Sequence, residues 1–322
     1  MNRRSWIGAL AAFGIAFAAG AFAQDYPSRP VRLIVPNAPG SSIDIMSRIL
    51  ATRLGETLGA STVVENRDGA SGLIGMEAGK NAKPDGYVLM CASNGSMLIA
   101  PMLRKNPPYD ALADFAFVST FAVLPNVLVV NPELPVKNVK ELIDYARSHA
   151  GKTNMASAGV GSASHLAGVL LMSMAGFDSL HVPHKGGGPS VNSVVAGQTH
   201  WTITPAPAVV SLIKSGRLRA IGQSLPRRSA LLGDIAPVAE TVPGYDSSGW
   251  AGVVAPRGTP RAVVDRLNGA IAKTLALADV KDALGAQGAE AFPGSPEEFR
   301  QFIVQEQAST ARVIKAGNLT LE

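Results

Sequence analysis

Cysteine is almost missing from this chain: Cys91 is the only one in 322 residues, so no internal disulfide can form. Charge is sparse as well. Charged residues make up 16% and the formal net charge is +5, too mild and too scattered for a nucleic-acid surface. Beyond the first 23 residues no apolar run approaches the ~20 residues needed to cross a bilayer. Nucleotide-binding signatures are absent. Gly159-Val160-Gly161-Ser162-Ala163-Ser164 lacks the third glycine of a dinucleotide fingerprint, and no complete phosphate loop occurs, since Gly151-Lys152-Thr153 has Ala146 where that motif needs its first glycine. No Gly-x-Ser-x-Gly nucleophile elbow occurs either. His181 and His184 are separated by Pro183 and joined by no cysteine or carboxylate cluster, so neither a metal nor another cofactor is expected.

What is present begins with a targeting segment. Arg3 and Arg4 precede an apolar, Ala-rich stretch from Trp6 to Phe22, and Ala21-Phe22-Ala23 gives a small-x-small cleavage site. Residues 1–23 are therefore predicted as a signal peptide; the alternative is an uncleaved anchor. The polar Gln24-Asp25 that follow favour cleavage. Arg3-Arg4-Ser5-Trp6 holds too little of the twin-arginine pattern to fix the export route. Losing the leader removes two arginines and leaves 27 basic against 24 acidic residues, a net +3. Cys91 lies far from the cleavage site, which excludes a lipoprotein anchor there. The mature chain reads as a soluble periplasmic protein, long enough for two lobes of ordinary domain size.

Short apolar runs alternate with helical patterns, which predicts α/β architecture. Candidate strands are Val31–Val35, Thr62–Glu65, Tyr87–Cys91, Phe117–Val123, Val127–Val130, Thr153–Ala156, Leu180–Val182, Trp201–Thr204, Leu218–Gly222 and Gly252–Ala255. Several are continuously apolar, as strands covered on both faces should be. Val264, Leu267, Ile271 and Leu275 repeat at helical spacing, and so do Val139, Leu142, Ile143 and Ala146. The Pro-, Gly- and Ser-rich region from Gln223 to Gly249 predicts a long connection with one short helical turn. Leu124-Pro125-Asn126 joins two apolar strands almost without spacer, as either a crossover between lobes or a turn within one sheet.

Four strand-to-helix junctions are crowded with small and polar residues. They run from Pro36 to Asp44, Ala92 to Ser96, Ser157 to His165 and Pro183 to Ser190. Helix N-termini offer unpaired N–H groups and a positive dipole end, so they hold anions without a buried arginine. Glycines let backbone approach a ligand, and Ser and Asn side chains add donors. In open α/β sheets ligands sit beyond the carboxyl ends of strands, where such loops lie. The competing reading makes these residues ordinary caps and turns. Candidate ligand contacts are Asn37, Ala38, Pro39, Gly40, Ser41, Ser42 and Asp44 in the first junction, and Ser93 and Asn94 in the second. Gly159, Gly161, Ser162, Ser164 and His165 come from the third, and His184 and Lys185 from the fourth. No catalytic residue is assigned.

Several stretches taken in order carry a resemblance. They include Tyr26-Pro27-Ser28-Arg29-Pro30-Val31, Val64-Glu65-Asn66-Arg67, Pro84-Asp85-Gly86-Tyr87 and Pro125-Asn126-Val127-Leu128. Further on come Ser162-Ala163-Ser164-His165-Leu166-Ala167, His181-Val182-Pro183-His184-Lys185-Gly186, Pro243-Gly244-Tyr245 and Ala255-Pro256-Arg257-Gly258-Thr259-Pro260. With them the chain resembles the Bug-type solute receptors of tripartite tricarboxylate transporters, from Tyr26 to about Ala316. The resemblance implies an α/β, two-lobed periplasmic binding protein (type II, Venus-flytrap) with a mixed sheet in each lobe. Lobe 1 would be 25–125 plus 225–322, and lobe 2 would be 126–224. A small carboxylate captured between the lobes would pass to membrane transporter subunits, with the receptor a monomer. The family role of holding the ligand carboxylate, with bridging waters, maps to Asn37 through Asp44 and Gly159 through Ser164. Asp44 is better suited to fixing its loop than to touching an anion.

Three departures bear on the ligand. Ser41 stands where the family commonly has the second glycine of a pair, and His184 replaces a tyrosine. His200 and Thr204 occupy two positions that often carry aspartate. Without a carboxylate at Thr204, also a candidate contact, a ligand ammonium lacks a natural partner, which favours a non-amino carboxylate. The alternative functions are a periplasmic hydrolase or isomerase using His165 or His184 beside a serine, and a receptor that signals to a membrane sensor.

Overall fold

Strands buried on both faces need nearly unbroken apolar sequence, and the apolar runs are where strands form. The structure is a computed structural model that describes residues 26–316; the predicted leader, 1–23, lies outside the described residues. In chain order the strands are β1 (Val31–Val35), β2 (Thr62–Asn66), β3 (Val88–Ser93), β4 (Phe115–Leu124), β5 (Asn126–Val130) and β6 (Asn154–Ser157). They continue with β7 (Leu180–Pro183), β8 (Trp201–Pro205), β9 (Arg219–Gln223), β10 (Gly249–Pro256) and β11 (Glu290–Ala291). The longer helices are α1 (Ser42–Leu58), α2 (Leu73–Lys80), α3 (Val139–Ser148), α4 (Ala163–Ala175), α5 (Gly187–Val195), α6 (Arg261–Ala276), α7 (Ala278–Ala286) and α8 (Pro296–Ala316).

The strands form two sheets. The first has the order β11-β4-β10-β3-β1-β2, and the second β7-β6-β8-β5-β9. Both are mixed. In the first, β1 is parallel to β2 and β3, while β10 runs antiparallel to β3 and β4. In the second, β6 is parallel to β7 and β8, and β5 is antiparallel to β8 and β9. Parallel pairs require helical crossovers, and each crossover opens with a strand-to-helix junction at one end of its sheet.

Helix α1 illustrates how sequence sets these elements. Ser41 caps it by accepting from the Asp44 N–H, and Gly59, at φ +89°, closes it. Met46, Leu50, Leu54 and Leu58 recur every four residues and are buried with β1, β3 and α6. Around the second sheet, α3 buries Val139, Leu142, Ile143 and Ala146, the stripe expected from spacing.

Pro125 alone separates β4 from β5, and those strands belong to different sheets. The junction is therefore a crossover, not a turn. The chain returns through 224–248, and the two passages are tied together. Asn126 N–H donates to Ser224 Oγ (2.9 Å), Ser224 N–H returns a bond to Asn126 O (2.9 Å), and Asn126 Nδ2 donates to Ser247 O. The return segment differs from expectation. It contains two 3-10 turns, Ala230–Leu232 and Val238–Glu240, where one turn was predicted. Val238, Val242 and Tyr245 pack into the core of the second sheet, and Tyr245 Oη donates to Ala167 O (3.0 Å). Part of the return segment beyond residue 225 therefore packs against the second sheet. Three apolar anchors spread through a Pro- and Gly-rich stretch have no periodicity to announce them. Among the described residues, no helix is long and apolar enough to cross a membrane.

Candidate ligand-binding site

The first junction is held by side chains that do not themselves face the cleft. Asp44 Oδ2 accepts from Gly40 N–H (2.9 Å) and Arg48 Nε (3.1 Å), and Oδ1 accepts from Asn66 Nδ2 (2.9 Å). Asn66 Nδ2 also reaches Asn37 O (3.0 Å). Burial disfavours the Asp44 carboxylate, but the bonds from Arg48, Gly40 and Asn66 outweigh it and hold its pKa below the usual carboxylate range. The loop is fixed by a charged brace beneath it. Of the first N–H groups of α1, Ser41 donates to Ala38 O and Asp44 to Ser41 Oγ, which leaves those of Ser42 and Ile43.

The third junction repeats this plan from the other lobe. Ser162 caps α4 by accepting from His165 N–H (3.2 Å), and Ser162 N–H donates to Gly159 O (3.1 Å). The N–H groups of Ala163 and Ser164 remain. Gly159 sits at φ +118°, and a Cβ there would lie 3.2 Å from His184 O. Only glycine fits where the third and fourth junctions pass.

Residues from both lobes line one cavity of about 480 Å³. Its wall includes Ser42, Ile43, Ala163 and Ser164, the four bearers of uncommitted first-turn N–H groups. The wall has little formal charge: Lys185 and Asp68 are its charged side chains, and both are exposed. His184 Nε2 and Asn37 Oδ1 are buried without a hydrogen-bond partner, and both residues line the cavity. A bound group that satisfied them would remove a desolvation cost of about 1–3 kcal/mol each.

Most expected contacts converge here. Asn37, Ala38, Ser41, Ser42, Ser93, Asn94, Gly159, Ser162, Ser164, His184, Lys185 and Thr204 all line the cavity. Pro39, Gly40, Asp44, Gly161 and His165 do not: Pro39 is exposed, while Gly40 with Asp44 and Gly161 with His165 form bonds that brace the loops. Gly161 N–H donates to His165 Nδ1 (3.3 Å), and the His165 ring stacks on His181 at 4.0 Å. Burial, then the nearby His181, lowers the His165 pKa to about 4. His200 also lies off the wall, with Nδ1 2.7 Å from Asn154 Oδ1.

The serine–histidine contact in this region is Ser157 Oγ to His181 Nε2 (2.6 Å). Ser157 is 0% exposed, and neither residue lines the cavity. No group of three His, Cys, Asp or Glu that could hold a metal occurs among the described residues.

A fifth junction escaped the sequence reading. Asp68, Gly69, Ala70, Ser71 and Gly72, between β2 and α2, line the cavity, and Ala70 and Ser71 adopt φ +48° and +58°. Ser71 Oγ donates to Val160 O across the cleft (2.8 Å). The segment has the same Gly/Ser composition, directly after a strand, that marked the other four. Gly249 and Trp250 are also on the wall. Only the pairing of β10 with β3 and β4 brings them there, which no local pattern signals.

Two mixed α/β sheets joined by two crossovers, with loops of both meeting around one cavity, define a two-lobed solute-binding protein. The family model for the tripartite tricarboxylate transporter family receptor matches residues 46–319, and the chain belongs to that family. It is similar to Protein BugT of Bordetella pertussis (strain Tohama I), 36% identical over 307 residues that cover 95% of this chain and 94% of BugT. Among solved structures, R. palustris Rpa4515 with adipate is 33% identical, with a TM-score of 0.89, covering 92% of this chain and 99% of its own. MatC from Rhodopseudomonas palustris with bound malate is 29% identical, with a TM-score of 0.84, covering 90% and 100%.

Proposed function

We propose that this receptor captures a small organic carboxylate in the interlobe cavity, in the periplasm, and hands it unchanged to membrane transporter subunits. The observation that carries the reading is the pair of helix N-termini, α1 from one lobe and α4 from the other, on one weakly charged wall. A carboxylate between them would accept from N–H groups of both lobes, so binding and lobe closure are linked. Ser42, Ile43, Ala163 and Ser164 supply these donors, with Asn37 and His184 available to the rest of the ligand. Similarity to proteins solved with adipate and with malate supports the ligand class.

The absence of a catalytic step is supported by membership in a family of transporter receptors. Export follows from the leader at 1–23, and the receptor acts as a monomer. Sheet membership and packing of the described residues support lobe 2 as 126 to about 245, with lobe 1 formed by 26–125 and 246–316.

Isothermal titration of the leaderless protein against paired acids and their primary amides tests the reading. Acids should bind 1:1 and at least tenfold more tightly than their amides, about 1.4 kcal/mol, because charge-assisted bonds to the helix termini are lost in the amide. Equal affinity for acid and amide across the panel would rule out the helix-terminus site. Mass spectrometry of the ligand after long incubation should return it unaltered.

A further inference from the structure

A second cavity of about 340 Å³ adjoins the first, and Asn94, Ala163, Gly249 and Trp250 line both. It too is built by both lobes. Ala163, Leu166 and Leu170 come from α4, while Trp250, Phe302 and Glu306 come from β10 and α8. Its chemistry is opposite to that of the first. Asp246 and Glu306 line it, and no lysine or arginine does. Three aromatic side chains share the wall. Trp250 and Phe302 meet edge-on at 5.7 Å, and Phe302 and Phe292 at 6.0 Å.

Acidic residues alone do not make a site, but the indole adds an independent sign. Trp250 is 2% exposed, and its Nε1–H has no acceptor in hydrogen-bonding geometry. A buried polar atom left unpaired where two cavities adjoin marks a wall suited to an occupant. The N–H faces the Glu306 carboxylate without reaching hydrogen-bonding geometry: burial raises the Glu306 pKa, the Trp250 N–H opposes that, and Asp246 adds to it. A cation in this cavity would reverse the penalty on the carboxylate. Carboxylates beside aromatic faces are the combination that holds organic ammonium groups.

The geometry points to a subsite for the far end of the ligand: an organic ammonium group in the cage of Trp250, Phe292, Phe302, Asp246 and Glu306. The inference rests on the proposed seat of the carboxylate at the α1 and α4 N-termini. It specifies the ligand as a carboxylate with its cation distant along the chain. It departs from the non-amino carboxylate expected from Thr204, which lines the first cavity and offers no charge there. A single molecule spanning both cavities would draw on both lobes at each end, so each end favours closure.

The test is titration calorimetry on the leaderless protein with two series of matched length. One is 4-aminobutanoate, 5-aminopentanoate, 6-aminohexanoate and 8-aminooctanoate; the other is the unsubstituted alkanoates. At one length or more the ω-amino acid should bind at least tenfold more tightly than its alkanoate. Glu306→Gln, nearly isosteric, should shrink that ratio at least tenfold, and Asp246→Asn, on an exposed side chain, should shrink it less. Alkanoates that bind as well as ω-amino acids at every length would overturn the subsite and leave the carboxylate seat standing. A ratio unchanged by Glu306→Gln would do the same. Failure of every member of both series to bind would remove the seat and the subsite together.

Discussion

His165 makes a prediction that follows from its place behind the third junction. It is 6% exposed, accepts from Gly161 N–H, and has its pKa lowered from the ordinary 6.5 to about 4 by burial and by His181. The unfolded chain therefore takes up this proton near pH 6.5, while the folded chain resists until about pH 4. Protons bound by the unfolded state alone lower stability as pH falls. The contribution is fully present above about pH 7.5, is lost between 6.5 and 4, and levels off below. At about 1.36 kcal/mol per unit the whole loss is roughly 3 kcal/mol, of which roughly 2 is gone by pH 5. His165→Asn keeps an acceptor for Gly161 and removes the titration. Urea denaturation at pH 8, 6.5 and 5 should show the native protein losing about 2 kcal/mol more than the variant over that range. Asp44 and Asp114, whose pKa values are held low, act at more acid pH and in both proteins. Parallel pH profiles for the two proteins would refute the reasoning.

Gly159→Ala should weaken carboxylate binding about tenfold by calorimetry, since φ +118° and the His184 carbonyl at 3.2 Å strain the loop by roughly 1–3 kcal/mol. Ser162→Ala removes the α4 cap and the bond to Gly159 O and should lower urea stability by about 1 kcal/mol. Lys185→Met should cost less than about tenfold in affinity, because an exposed charge contributes about 0–1 kcal/mol and the helix termini do most of the holding. Cys91, 0% exposed and with its thiol pushed up to about 12 by burial, should ignore a thiol-reactive dye in native protein and react once in urea.

All ten strands read from apolar runs have a counterpart, most of them because burial on both faces writes itself into consecutive residues, though the edge strands β2 and β7 are only partly buried. The strand that was missed, Glu290–Ala291, is two residues long and pairs only with the edge of β4. Four of five cavity junctions were legible for a related reason: a strand that ends in Gly and Ser before a helical stripe has few other readings. Legibility failed where the determinant was tertiary. Whether a junction residue faces ligand or braces the loop depends on partners far along the chain, as when Asn66 ties Asn37 to Asp44. Trp250 reached the wall by strand pairing alone. The second cavity needs Glu306 and Ala163 side by side, and no window of sequence contains both.

Closure itself has a small, separable determinant in Ser71. Its hydroxyl bonds Val160 O on the opposite lobe, and its backbone stays at φ +58°, a conformation unfavourable for a residue with a side chain. Apolar contact also spans the lobes, where Leu166 meets Ile99 and Leu103. Ser71→Ala removes one interlobe bond and leaves each lobe's core intact. A net hydrogen bond of about 0.5–1.5 kcal/mol made only when the lobes meet should raise Kd roughly two- to tenfold. Because closure is common to all ligands, the factor should be the same for a short carboxylate and a long one, with urea stability unchanged. A direct contact between Ser71 and ligand would instead give a factor that changes with ligand size. Wild-type affinity in the variant would show that the bond contributes nothing to closure, leaving the Leu166 cluster and the ligand to hold the lobes together.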